Sequence, residues 1–371
     1  MTSRERLLKV LSGELPDRVP ISTYELCGYN STSFENREPS YAPLMEWIRK
    51  YTDAVTMWEP ACDEVEAKSA CGKFVQTEES FENGYHVRYT KLLTPRGELT
   101  QTVKYQDCIQ TMWKVEHLCK TIEDVDALLE IPFQPVAYDF SDYDRVRQET
   151  GENGIIMTSL ADPVCTAMEM MEFGDATVWA LTEPEHFKTV LNELHRRGMI
   201  NLKAMLEAGT VDLYRICGPE YVTPPYLSPK HFEEYVYPYL CEIVELIHQY
   251  GAKARIHSHG RIGRVLDMII KTGADAIDPC EAPPDGDISL KDVKRRTGNT
   301  MTVFGNIQLK LLEHGSEEEV KQAVITCMEE AKAGGRYVLM PTASPINIPL
   351  SPKTMKNYQV MISTAREYGV Y

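Results

Sequence analysis

The chain has 371 residues, 43% hydrophobic and 25% charged, with a formal net charge of −16. These are the proportions of an ordinary globular protein, and the length suits one long α/β domain as well as two or three shorter ones. The negative charge excludes nucleic acid as a partner, and no run approaches the roughly 20 apolar residues that span a bilayer.

The chain opens with a helix. Thr2-Ser3-Arg4-Glu5 fits a capping box, and Leu7, Leu8, Val10 and Leu11 supply an apolar stripe. This charged start is not that of a secretory signal. Pro16 and Pro20 end the segment. Eight short apolar runs then read as parallel strands: Ile21–Glu25, Ala54–Trp58, Ile155–Leu160, Val211–Cys217, Ala252–His257, Ala274–Asp278, Met301–Gly305 and Tyr337–Pro341. Amphipathic stretches separate them. Ser228-Pro229 starts a helix that runs toward Gly251, Ser316-x-x-Glu319 caps another that stops at Gly334-Gly335, and Ser351-Pro352 starts the last. Eight strands alternating with helices predict a (β/α)8 TIM barrel, a single domain over residues 1–371. The rival doubly wound sheet normally has a Gly-rich first turn, and no GxGxxG or Walker A motif occurs.

One segment, about residues 63–118, breaks this pattern. From Asp63 to Trp113 it alternates in period two, with Asn83-Gly84 and Arg96-Gly97 as turn signals. It reads as an antiparallel β meander inserted after the second strand. Such an insertion sits near the active face. A lid, a structural flap and a contact within a homodimer are all open for it. The ten cysteines have no CxxC pair or regular spacing, which points to reduced thiols in the cytoplasm.

In a barrel of this kind the catalytic groups lie at the C-terminal ends of the strands. Those ends carry Tyr24, Glu25, Trp58, Glu59, Asp162, Glu220, His257, His259, Asp278, Cys280, Glu281, Asn306, Gln308, Thr342 and Ser344, with no Lys or Arg among them. His257-x-His259 is the sharpest feature. Residues i and i+2 of a strand share a face, so two imidazoles there can share one cation, and imidazole is a preferred zinc ligand. Glu220 ends the neighbouring strand, about 4.8 Å away. Two His and one Glu with an open position is a common catalytic zinc site. His259 is either the third ligand or a partner that orients one, and Glu281 and Cys280 stand in reserve. Glu59, Asp162 and Glu281 are the candidates for moving protons. Tyr24, Glu25, Trp58, Asn306, Gln308 and Ser344 are candidates for lining a substrate pocket. The bland alternatives are a helix-capping His and a surface Glu.

Several segments together resemble the uroporphyrinogen decarboxylase superfamily, which also holds the methyltransferases of corrinoid-dependent methyl transfer. They are Ser3-Arg4-Glu5-Arg6-Leu7 through Gly13-Glu14-x-x-Asp17-Arg18-Val19-Pro20, then Ser228-Pro229, His257-Ser258-His259-Gly260, Gly273-Ala274-Asp275 and Gly305-Asn306-Ile307, in family order over almost the whole chain. The resemblance implies a (β/α)8 barrel. True uroporphyrinogen decarboxylases carry an Arg-Gln-x-Gly-Arg loop after the first strand, where this chain has Tyr24-Glu25-Leu26-Cys27-Gly28-Tyr29. Their C-terminal His-Gly element is replaced by Pro341-Thr342-Ala343-Ser344-Pro345. An acidic mouth would also repel that polyanionic substrate.

The methyltransferase branch is the better match. Its coenzyme-M-type members bind zinc through His-x-Cys and a later Cys; here His259 replaces the first Cys, and Thr342 or Ala343 stands where the second would fall. A harder site of His and Glu suits activation of a leaving group such as an ether oxygen. The resemblance thus implies demethylation of a small methylated substrate, for example an aryl methyl ether, with zinc at Glu220, His257 and His259. The methyl acceptor would be a corrinoid supplied by a separate partner protein. The alternatives are a decarboxylase or lyase of a small carboxylate, for which only Arg261 is a well-placed cation, and a non-catalytic corrinoid- or tetrapyrrole-binding barrel.

Overall fold

The computed structural model describes residues 1–62, 68 and 70–371. Its strands are β1 (Ala54–Met57), β2 (Ala61–Cys62), β3 (Phe74–Glu82), β4 (Tyr85–Thr94), β5 (Gly97–Gln106), β6 (Ile109–Glu116), β7 (Tyr138–Asp139), β8 (Gly154–Ala161), β9 (Leu213–Cys217), β10 (Lys253–Ser258), β11 (Ala276–Pro279), β12 (Thr302–Ile307) and β13 (Tyr337–Pro341). Seven of them, in the order β1-β8-β9-β10-β11-β12-β13, make one parallel sheet. They match seven of the eight expected runs to within two residues at each end. The eighth, Ile21–Glu25, is not a full strand. It is reduced to one bridge, Ile21 to Leu339. Pro20 has no N–H to give to a ladder, and Tyr24 takes a left-handed φ of 59° that ends the extended run. The short segment still reaches both sheet edges. Leu339 N–H donates to Pro20 O at 3.0 Å and Ser22 N–H to Leu339 O at 2.9 Å. On the other side Asp53 N–H donates to Ile21 O at 2.7 Å. Bridged in this way, the parallel sheet is consistent with a TIM-like barrel.

Alternation along the strands makes two apolar layers. Ile156, Tyr214, Ile216, Ile256, Ile277, Val303 and Leu339 join the large core under the helices. Val55, Ile155, Met157, Leu213, Phe304, Val338 and Met340 form a separate interior cluster with Leu7, Val10 and Leu11 of the first helix, Ser3–Leu11. That helix carries the expected capping box between Thr2 and Glu5. Arg4 pairs with Asp212, just before β9, at 2.5 Å. The helix therefore covers the N-terminal end of the sheet and leaves the C-terminal end for chemistry. Arg6 and Arg18 both pair with fully buried Asp53, at 2.6 and 2.8 Å, and Asp53 also accepts from Ile21 N–H at 2.9 Å. This fastens the closing segment to the first helix. It also gives the Arg6, Asp17 and Arg18 pattern a structural role, since Arg6 pairs with Asp17 at 2.6 Å.

The helix that begins at Ser228 does not run unbroken toward Gly251. It divides into Pro229–Tyr235 and Tyr237–Gln249, because Pro238 denies an N–H to the turn before it. Ser316 and Glu319 form the expected box at the start of Glu317–Ala331. The insertion is an antiparallel sheet in the order β3-β4-β5-β6, one strand more than the three period-two runs show. Asn83 and Gly84 have φ of 53° and 81°, the two positive values that a tight hairpin needs. Strand β6 is anchored to the loop after β13: Gln110 N–H donates to Ile346 O at 2.7 Å and Ile348 N–H to Cys108 O at 2.8 Å. The expected start of the insertion at Asp63 lies outside the described residues. Among the described residues no helix is long and apolar enough to cross a membrane.

Candidate active site

Three neighbouring strands bring a polar group into the otherwise apolar interior. On β10, Arg255 and His257 share the inward face. On β9, Arg215 and Cys217 sit opposite them in register. On β11, Asp278 lies opposite His257. Asp278 is fully buried, and its Oδ2 is 2.8 Å from His257 Nδ1. Its Oδ1 lies 2.9 Å from Arg255 Nε, close enough for an ion pair. The alignment falls short of a hydrogen bond, so those two atoms and Arg255 Nη1 have no hydrogen-bond partner among the described residues. Burial alone would raise the Asp278 pKa, but Arg255, His257 and Arg215 outweigh it and hold the carboxyl well below its usual range. Burial lowers the His257 pKa despite Asp278. A neutral imidazole that donates from Nδ1 to an ionised carboxylate keeps its Nε2 lone pair for another partner. That Nε2 is 3.5 Å from the Tyr24 hydroxyl.

His259 stands next to it, with ring centroids 4.7 Å apart and planes at 89°. Its Nδ1 is 3.3 Å from Glu281 Oε1, and Glu281 Oε2 accepts from Gly260 N–H at 2.6 Å. Burial opposes charge on both partners, but their mutual attraction raises His259 and lowers Glu281. Glu220, on the short turn Pro219–Tyr221, accepts from Gly218 N–H at 3.1 Å. Glu220 and His259 share the wall of a cavity of about 450 Å3 with Phe173, Tyr221, Tyr226 and Arg261. Gly218 has φ 132°, and a side chain there would strike Asp162 Oδ1 at 2.1 Å, so only glycine fits this corner. Asp162 caps the helix Pro163–Met170 through Oδ1, 2.6 Å from Cys165 N. Its Oδ2 is buried without a partner among the described residues. Burial, reinforced by the nearby charge of Glu220, pushes the Asp162 pKa up to about 8.

The other expected residues are more scattered. Arg215 holds Tyr24 and Glu25, donating to the Tyr24 hydroxyl at 2.8 Å and to Glu25 Oε1 at 2.7 Å. Ser344 Oγ accepts from Glu25 N–H at 3.2 Å, so the loop after β13 joins this group. Trp58 is buried against Phe140 and Tyr143, with centroids at 5.0 and 5.2 Å. Glu59 lines a different cavity, of about 420 Å3, with Tyr138, Ser159, His195 and Cys217. Asn306 donates to Cys280 O at 2.7 Å and, with Gln308, lines a third cavity of about 460 Å3. The reading of a mouth without Lys or Arg needs correction. Arg215 and Arg255 point inward at positions short of the strand ends, where a survey of ends alone passes over them. Their signal was present in the sequence: a charge two residues before His257 sits on the same inward face, where a parallel strand is normally apolar.

The donors fit a zinc ion in kind. His257 and His259 each engage a carboxylate through Nδ1, which is how ligating imidazoles are usually oriented, and so keep Nε2 for another partner. The third donor is not in place. Among the described residues no three His, Cys, Asp or Glu groups are gathered closely enough to hold a metal ion.

A parallel α/β sheet with paired imidazoles and buried carboxylates at its C-terminal end defines an enzyme-like pocket on a TIM-like scaffold. The family model of uroporphyrinogen decarboxylase (URO-D) matches residues 75–368, and the chain belongs to this family. A uroporphyrinogen decarboxylase from Pseudoalteromonas translucida (strain TAC 125) is 28% identical over 236 residues, 61% of this chain and 64% of that protein, so less than two thirds of the relative's length is matched. A solved methyltransferase from Methanosarcina mazei superposes with a TM-score of 0.62, covering 99% of each chain at 17% identity. That likeness establishes the fold.

Proposed function

We propose that this protein is a methyltransferase of the URO-D family. In this reading it demethylates a small methylated compound, such as an aryl methyl ether, and passes the methyl group to the cobalt of a corrinoid on a separate protein. The observation that carries the reading is the pair His257 and His259, 4.7 Å apart, each backed by a carboxylate at the C-terminal mouth. The full-length fold likeness to a methyltransferase supports it. Zinc is proposed at His257 and His259, with Glu220 as the third ligand although it shares only the cavity wall with His259 here and is not gathered with the pair; bound there, zinc would act as a Lewis acid on the leaving oxygen.

The chain's own groups have clear tasks. Asp278 fixes the His257 ring and Glu281 fixes the His259 ring. Burial raises the Asp162 pKa to about 8, which favours its protonated form at neutral pH, and in this reading it hands a proton to the leaving group. Glu59 is the alternative donor, in a separate cavity. The ten cysteines are free thiols, which suits the proposed cytoplasmic location.

A second reading, a decarboxylase or lyase of a small carboxylate, gains from one observation: two arginines, Arg215 and Arg255, face the interior, the first held by Glu25 and the second by Asp278. One assay separates the two. The enzyme is mixed with a corrinoid protein reduced to cobalt(I) and a panel of aryl methyl ethers and methylated amines. Methylcobalt absorption supports the first reading. Release of CO2 from a carboxylate panel, with the cobalt spectrum unchanged, supports the second.

A further inference from the structure

Arg215 is nearly enclosed, with 7% of its side chain exposed, yet its ion-pair partner Glu25 is 47% exposed. A buried cation is normally held by buried groups. Here the neutralising carboxylate comes from the rim, on the Tyr24–Glu25 turn. Below it the interior is rich in positive charge. Arg215 and Arg255 are register neighbours on β9 and β10, and the carboxylate facing both is Asp278. Asp278 is already in contact with Arg255 and His257. Glu25 therefore completes the charge balance from outside.

Its hold is incomplete. Glu25 takes only Nη1 of Arg215, Nη2 goes to the Tyr24 hydroxyl, and Nε is buried without a hydrogen-bond partner among the described residues. A guanidinium can grip a carboxylate through two parallel N–H groups. The Tyr24 ring lies 5.0 Å from the guanidinium and its hydroxyl 3.5 Å from His257 Nε2. An anion at Arg215 would thus sit next to the imidazole that the proposed chemistry uses.

We propose that Arg215 anchors a carboxylate group of the substrate, and that Glu25 occupies this anchor until the substrate replaces it. The substrate is then a small carboxylate-bearing molecule. The assignment rests on the mouth around His257 being the substrate site, as proposed above. Exchange of one carboxylate for another leaves the buried charge unchanged, so Arg215 is never stripped of its counter-ion. The incoming acid competes only with a tethered side chain, whose effective concentration is on the order of millimolar.

Calorimetric titration of the whole protein with formate, propionate and benzoate, and with benzamide as a neutral isostere, tests this. The acids should bind and benzamide should not. Glu25→Gln, a change at a half-exposed position, should bind the acids about tenfold more tightly because the competitor is gone. Arg215→Lys should weaken them about tenfold or more, since lysine cannot offer the fork. The proposal is overturned if no acid binds Glu25→Gln, if benzamide binds as well as benzoate, or if Glu25→Gln leaves acid affinity unchanged. The titration needs neither a methyl donor nor a corrinoid. Methyl transfer without acid binding therefore sinks the carboxylate anchor alone, and acid binding without methyl transfer sinks the methyltransferase reading alone.

Discussion

Asp162 caps a helix and is also proposed to move a proton at the site. Its Oδ1 caps a helix, while its Oδ2 is buried without a partner. Burial raises its pKa from an ordinary 3.8 to about 8. A raised carboxyl pKa contributes stability that is full below about pH 4 and is lost as pH rises through 8. Asp162→Asn keeps a good cap and carries no proton to lose. The variant should match the natural protein in urea near pH 4 and exceed it by a few kcal/mol near pH 9, since each pKa unit is worth about 1.4 kcal/mol. Urea midpoints at the two pH values decide; equal pH slopes would place a charged Asp162 in the folded state. Glu281→Gln should slow turnover about ten- to a hundredfold while the content of the proposed metal is kept, because Glu281 orients the proposed ligand His259 and is not a proposed ligand itself. Loss of the metal in that variant would make Glu281 a ligand itself. The two histidines and Asp162 were legible as candidates because strand ends announce themselves in sequence; the helix cap made by Asp162 and the tight corner at Gly218 were not read, since both depend on how the strand meets the next helix. Arg215 and Arg255 were not read, since they lie short of the strand ends and each looks like an ordinary arginine until the inward face is traced.

At the level of elements, the weakest seam is the bridge that joins β13 to β1 through Pro20–Ser22. Asp53 holds it with two arginines and a backbone N–H. Asp53→Ala would leave Arg18 without its carboxylate and Arg6 with Asp17 alone, and removing one partner of such a set costs roughly 3–5 kcal/mol. Chemical denaturation of the variant measures it; a loss below about 1 kcal/mol would show that the seam is held elsewhere. The sequence announced seven strands clearly, through apolar runs bounded by turns. It overstated the first because a run of apolar residues does not reveal Tyr24 in a left-handed conformation. It understated the insertion by one strand, since β6 (Ile109–Glu116) puts Met112, Trp113 and Val115 in the open rather than alternating cleanly. Phe81 and Met112 are 64% and 61% exposed on this sheet, and Lys114 of β6 pairs with Glu169, which also accepts from the Tyr221 hydroxyl at the mouth. Trimming the Asn83-Gly84 hairpin should therefore shift KM among substrates and leave metal content intact. Unchanged kinetic constants would remove the lid from the account.

For the whole molecule, a net charge of −16 describes the surface and not the pocket. The acidic strand ends suggested that polyanions would be repelled, yet the interior beneath them carries two guanidiniums. The expectation that uroporphyrinogen is not decarboxylated now rests on the missing arginine loop at Tyr24–Tyr29 and the replaced His-Gly element at Pro341–Pro345. Anaerobic incubation that yields coproporphyrinogen at an enzymatic rate would overturn it. The central claim is that one imidazole, His257, is needed both to hold a metal and to move a methyl group. The most direct test measures zinc content and methylcobalt formation side by side in the natural protein and in His257→Ala. The account predicts close to one zinc with turnover in the first, and loss of both together in the second. Full turnover in His257→Ala without bound metal would contradict it.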